Sequence, residues 1–171
     1  MNNDGSGEIA DYIVVEELAT GEVHLGLWHA KFSQGQTPSV RVKDFQEVVA
    51  QALRSRRQFP STELWDELAA RLDGKAKPAA TITQGSDDEM LLRKRLGLMP
   101  ADGTDIPWSL RYPAIRPLIG IVQPGLSAAA LRADLAASPM PAGAQSLQEL
   151  FSVMADTAIA DGAEMVVVVS A

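Results

Sequence analysis

The groups in this chain best suited to chemistry are an aspartate, Asp11, and a histidine and a lysine two residues apart, His29 and Lys31. Metal-assisted hydrolysis of a phosphodiester needs carboxylates that hold a hard divalent ion, and a lysine helps to orient the attacking water and offset charge in the transition state. Asp11 and Lys31 are of those types. The chain has no cysteine, so any metal must be held by oxygen or imidazole. On local pattern alone, Asp11 after a glycine-rich stretch also reads as a turn residue, and Lys31 as a strand-end lysine that snorkels to water. His29 reads equally as a ligand and as a half-buried histidine satisfied by a neighbour.

The elements that must position these groups begin with a hairpin. Ile9 to Leu18 is a β-branched run and Val23 to Phe32 a second extended run, with a turn at Ala19 to Glu22 between them. A loop of Ala19, Thr20 and Gly21 sets Leu18 opposite Glu22 and, in strict register, Asp11 opposite His29. Lys31 then shares a face with His29, Val23, Leu25 and Leu27, because side chains alternate. A slip of one residue would move Asp11 to the other face.

From Asp44, the residues Phe45, Val48, Val49, Ala52 and Leu53 recur at helical spacing, ending near Phe59 and Pro60. The opposite stripe carries Glu47, Gln51, Arg54 or Ser55, and Gln58. Ser61 is placed to cap a helix with Leu64, Trp65, Leu68 and Leu72, and Ser86 with Glu89 forms a capping box for another that ends at Gly97. Leu98 to Pro113 reads as a long loop or lid. Arg116 to Val122 reads as a strand stopped by Pro124 and Gly125, Ser127 to Ala137 as a helix, and Ser146 with Glu149 as a capping box opening a last helix to about Ala160. Glu164 to Ser170 closes the chain as an apolar strand of the kind buried on both faces. The order β-β-α-α-α-β-α-α-β is that of an α/β protein. Trp28, Trp65 and Trp108 read as packing residues rather than base-stacking platforms.

With 171 residues, 46% of them hydrophobic and 22% charged, the chain is expected to form a single domain over 1–171 with a proper core. Met1 to Gly7 lacks the basic and apolar regions of a signal peptide, and no apolar run approaches the ~20 residues needed to span a bilayer. The cytoplasm is the expected compartment, and no membrane partner is expected. Net charge is −7, which is unfavourable for binding phosphate. Locally the balance reverses: Lys31, Arg41, Lys43, Arg54, Arg56 and Arg57 stand against only Asp44 and Glu47 between Lys31 and Gln58. That segment either faces phosphate or carries arginines that complement a helix dipole.

Asp11 with the triplet His29-Ala30-Lys31 resembles the motif of PD-(D/E)XK nucleases, in which an aspartate on one strand is followed by an acidic residue, any residue and lysine on the next. The likeness extends through Gly5-Ser6-Gly7-Glu8-Ile9-Ala10-Asp11, His29-Ala30-Lys31-Phe32-Ser33, Asp44 with Glu47, Val48, Gln51, Ala52 and Ser55, and Ile121-Val122-Gln123-Pro124-Gly125-Leu126. These stretches are similar to the nuclease-related module in the C-terminal part of DEAD/DEAH-type helicase proteins of bacterial defence systems. The resemblance implies a restriction-endonuclease-like core, a central mixed sheet with flanking helices. Only ten residues precede Asp11, so the first core helix and strand are expected to be missing, as in a fragment of a longer helicase–nuclease protein.

Carried over residue by residue, the resemblance makes Asp11 the metal-binding aspartate, Lys31 the catalytic lysine and the Ala30 carbonyl a metal contact. Gln51 falls where some exonuclease branches place a helix glutamine near the active site, and Glu8 is an accessory carboxylate. The implied cofactor is Mg²⁺ or Mn²⁺, the implied substrate is DNA held by its phosphate backbone, and the implied partner is a helicase chain or domain. His29 departs from the pattern, standing where Asp or Glu is expected. A neutral imidazole ligates Mn²⁺ but suits Mg²⁺ poorly. The rival expectation is a catalytically degenerate module that binds DNA or a partner protein without cutting.

Overall fold

The turn expected at Ala19 to Gly21 forms. The Leu18 amide donates to the Glu22 carbonyl at 2.8 Å, and the Gly21 amide returns to the Leu18 carbonyl at 2.9 Å. Gly21 takes φ of 81°, in the left-handed region that glycine enters without steric cost. The structure, a computed structural model, describes residues 9–32, 37–59, 62–75, 93, 95–96 and 115–171. The turn joins β1, Tyr12–Glu17, to β2, Val23–Ala30, both shorter than the runs that suggested them. Helix α1 covers Val42–Ser55 and continues as a 3-10 turn, Arg56–Gln58, before α2, Thr62–Leu72. Then come β3, Ile115–Ser127; α3, Ala128–Ala136; α4, Ala142–Ala160; and β4, Glu164–Ser170.

Among the described residues the strands form a four-stranded mixed sheet in the order β1-β2-β3-β4. β3 and β4 run parallel, with Leu118 opposite Glu164 and Gln123 opposite Val169. A parallel pair needs a long crossover, here supplied by α3 and α4. Between β2 and β3 the contacts also advance in step. Gly26 lies against Leu118, Gly120 against Trp28, and the Lys31 amide donates to the Val122 carbonyl at 3.1 Å. The protein is therefore α/β, with helices flanking a mixed sheet, and none of its described helices is long and apolar enough to cross a membrane.

The chain divides into two compact units: Met1–Val14, Gly26–Arg56 and Pro117–Ala171 in one, Val15–Leu25 and Arg57–Arg116 in the other. In the first, the core of α1 and α4 is built on the predicted helical stripe. Phe45, Val48, Val49 and Ala52 are buried, as are Leu147 and Met154, and the Phe45 and Phe151 rings meet at 4.8 Å. Leu27, Ile119, Ile121 and Leu126 supply the buried side of the sheet. The second unit buries Leu64, Leu68 and Leu96. Its ion pairs include Arg116 with Glu22, Arg95 with Glu17, and Asp73 with both Lys75 and Arg93.

Three expectations are corrected. β3 does not stop at Pro124 and Gly125 but runs to Ser127, because the missing amide falls where the ladder with β4 shifts register, between Gln123 and Ser127. There the Gln123 side-chain oxygen accepts the Gly125 amide at 2.9 Å, and Ser170 Oγ donates to the Pro124 carbonyl at 2.5 Å. α4 begins four residues before Ser146, with Pro141 at its N-cap, so Ser146 lies inside the helix and does not cap it. β4 has the expected range but not the expected burial. Among the described residues it is an edge strand, and Val166 and Val168 remain 37% and 45% exposed. The Ser86 and Glu89 capping box, the Leu98 to Pro113 loop and the Ser61 cap lie outside the described residues.

Candidate active site

β1 and β2 run in opposite directions, so the residue that precedes β1 arrives beside the residues that end β2. Asp11 is tied there twice. Its amide donates to the Trp28 carbonyl at 3.0 Å, and its carboxylate Oδ2 accepts the Ala30 amide at 2.8 Å. The backbone bond goes to Trp28 rather than to His29, one residue from the strict register of the turn. The side chain nevertheless reaches the end of β2, and its charge acts on the His29 ring.

His29 continues the buried alternation of Val23, Leu25 and Leu27, and only 4% of it is exposed. Burial pushes its pKa below the usual histidine value, and the Asp11 carboxylate opposes that shift in part. Its Nε2 lies 2.7 Å from Ser55 Oγ, itself buried on α1. The Ser55 hydroxyl is 2.9 Å from the Ala52 carbonyl, the normal i−3 bond of a helical serine. Asp11, His29 and Ser55 resemble a nucleophilic triad only in residue type. A buried serine whose proton is held by its own helix is not placed to attack a substrate.

Lys31 sits just past β2, and its Nζ lies 2.8 Å from Glu47 Oε2 on α1. Lys31, by hydrogen bond and by charge, holds the Glu47 carboxyl below its ordinary range. Glu47, Gln51 and Ser55 are spaced four apart and so line one stripe of α1. Since Ser55 meets His29 and Glu47 meets Lys31, α1 crosses the end of β2 with Gln51 in the turn between those contacts. The predicted site residues Asp11, His29, Ala30, Lys31 and Gln51 thus fall in one region of the first unit. Glu8 lies outside the described residues.

Glu47 and Ser55 were legible as members of the polar stripe, but nothing local indicates that one pairs with Lys31 and the other with His29. A third polar residue is Gln123, fully buried on β3 in the strand next to Lys31. Its oxygen is used by Gly125, and its Nε2 has no partner among the described residues. The whole group lies at the carboxyl ends of the parallel strands, where open α/β sheets form their binding crevices.

The groups here that could donate to a metal ion are the Asp11 carboxylate, the His29 imidazole and the Ala30 carbonyl. Among the described residues no three His, Cys, Asp or Glu side chains cluster as a metal site. Of the two side chains, the His29 imidazole is 4% exposed and suits Mg²⁺ poorly, so the described residues alone do not make up a Mg²⁺ site. The chain matches no known family model, and no curated protein or solved structure shows significant similarity to it.

Proposed function

We propose that this protein is a metal-dependent deoxyribonuclease module with a restriction-endonuclease-like core, of the PD-(D/E)XK type. The observation that carries the reading is the bond from the Ala30 amide to the Asp11 carboxylate at the end of β2, between His29, which meets Ser55 of α1, and Lys31, which pairs with Glu47. The four-stranded mixed sheet flanked by helices is compatible with that core.

In this reading Asp11, His29 and the Ala30 carbonyl hold Mg²⁺ or Mn²⁺, with Glu8 as an accessory carboxylate. A bound divalent ion supplies electrophilic stabilisation of the phosphoryl oxygens. The Lys31 ammonium orients the attacking water and offsets charge as it builds on the phosphate. Gln51 lines the same site from α1. Lys43 and Arg54 are exposed on α1 and supply contacts to the DNA backbone. The natural context of such a module is a helicase-associated defence or DNA-processing protein.

A second reading is favoured by two observations: Lys31 is already engaged by Glu47, and among the described residues no three side chains cluster as metal donors. In that case the protein is a degenerate nuclease fold that binds DNA or a partner without cutting. Cleavage of single- and double-stranded DNA in Mg²⁺ and in Mn²⁺ separates the two. Cutting that is lost in both Asp11→Ala and Lys31→Ala, with the fold intact by circular dichroism, supports the nuclease. Salt-sensitive DNA binding that needs no metal and proceeds without cutting supports the binding module.

A further inference from the structure

We propose that Tyr12 and Phe32, two exposed rings that flank the Asp11–Ala30 contact, form a stacking platform that admits single-stranded DNA to the candidate site and leaves duplex DNA out. The inference rests on the DNA reading above and names the strand form that the site takes.

Side chains alternate along β2. Leu27 and His29 are buried, His29 turned toward Ser55 of α1, whereas Trp28 and Ala30 lie on the other, part-exposed side. The Lys31 amide still bonds the Val122 carbonyl, so the ladder reaches one residue past β2 and Phe32 continues the side of Trp28 and Ala30. Its ring is held out in water, 89% exposed. On β1 the same alternation turns Tyr12 and Val14 outward, 60% and 45% exposed, with Ile13 between them more covered. Both rings stand beside the candidate site. Tyr12 follows Asp11, whose carboxylate accepts the Ala30 amide, and Phe32 comes two residues after Ala30. The Trp28 indole fills the space in which a Cβ at Gly26 or Gly120 would stand, so it lies along the sheet on the same side.

Rings left in water gain when a flat apolar partner covers them. Every base has a π-face, which a single strand leaves free and a duplex buries in its own stack. The phosphates of a strand need cations as well, and these stand at the same end of β2. Lys31 neighbours Phe32, and the exposed Lys43 lies one helical turn before Glu47, the partner of Lys31. Rings with cations at their rim complement both the bases and the charge of a single strand. An apolar protein surface would complement the rings alone.

Fluorescence anisotropy of the intact, metal-free chain at low salt compares labelled oligothymidylate, which does not pair with itself, with a labelled DNA hairpin. The expected result is tighter binding of the single strand, a loss of roughly tenfold in Phe32→Ala and in Tyr12→Ala, and recovery in Phe32→Tyr but not in Phe32→Leu, which keeps apolar bulk without a ring. Lys43→Ala should lower the salt dependence by about one counterion, whereas Phe32→Ala should leave it unchanged. A hairpin bound as tightly as the single strand, or unchanged affinity in both ring variants, overturns the platform, while the DNA reading it rests on survives. Absence of binding to either DNA removes both. Self-association of the wild type that Phe32→Ala abolishes, with no DNA bound, assigns the rings to a second copy of the chain and likewise overturns the proposal.

Discussion

Lys31, just beyond the end of β2, and Glu47, in the second turn of α1, form an ion pair of 2.8 Å across sixteen residues of sequence. The pair is solvent-facing, with the two side chains 36% and 46% exposed, so its role in stability is small and its role in placing the ammonium group is the larger one.

The pair makes a pH-dependent prediction. Because Lys31 lowers the folded-state pKa of Glu47 from an ordinary 4.5, the contribution is present above about pH 4.5 and is lost as pH falls through the lowered value. Glu47→Gln is expected to have a Tm slightly below wild type at neutral pH, with the difference vanishing on acidification. Under the proposed nuclease reading, the same variant is expected to bind DNA more tightly at neutral pH and low salt, since a negative charge beside Lys31 is gone. Unchanged binding would show that Lys31 does not face phosphate.

His29 predicts a second acid-side effect at higher pH. Burial lowers its folded-state pKa below 6.5, so the unfolded chain takes up a proton first as pH falls. Stability attributable to this group is full above pH 6.5 and declines below it until the folded pKa is passed. Urea midpoints of the metal-free protein should fall from pH 7 toward pH 5, and that part of the slope should be absent in His29→Asn.

Asp11→Asn separates charge from hydrogen bonding. The amide oxygen still accepts the Ala30 N–H, so the end of the hairpin stays in place, but the charge that raises the His29 pKa is removed. NMR titration of the imidazole should show a lower pKa in Asp11→Asn than in wild type. Under the proposed function, divalent-ion binding is expected to be lost in the same variant, while the fold remains.

Gly120 makes a packing prediction. A Cβ at this position would lie 2.0 Å from Cδ2 of Trp28, so the indole occupies the space a side chain would fill. Gly120→Ala should cost about 1–3 kcal/mol through overpacking, measured by urea unfolding. The cost should shrink in a Trp28→Leu background, as a double-mutant cycle reports for groups in contact.

Some of this was readable in the order of residues. Gly21 marked the hairpin turn, and the spacing of Phe45, Val48, Val49 and Ala52 marked the buried stripe of α1. His29 was placed on the face of Leu25 and Leu27 by alternation. Pro124 misled as a strand end, because a bulge and a side-chain acceptor on Gln123 let β3 continue past it. Ser146 misled as a cap, because α4 starts at Ala142 without one.

What the sequence by itself determined was local: where the hairpin turns, which stripe of α1 is apolar, and that Asp11, His29 and Lys31 sit near one end of adjacent strands. These follow from backbone preference and side-chain periodicity, which act over a few residues. Only the tertiary structure decided that Ser55 meets His29, that Glu47 meets Lys31, that Trp28 lies over Gly120, and that the Val166 and Val168 side of β4 stays exposed. Those contacts depend on which strands pair and how α1 crosses them, and pairing over long sequence separations is set by burial of the whole sheet rather than by any short pattern.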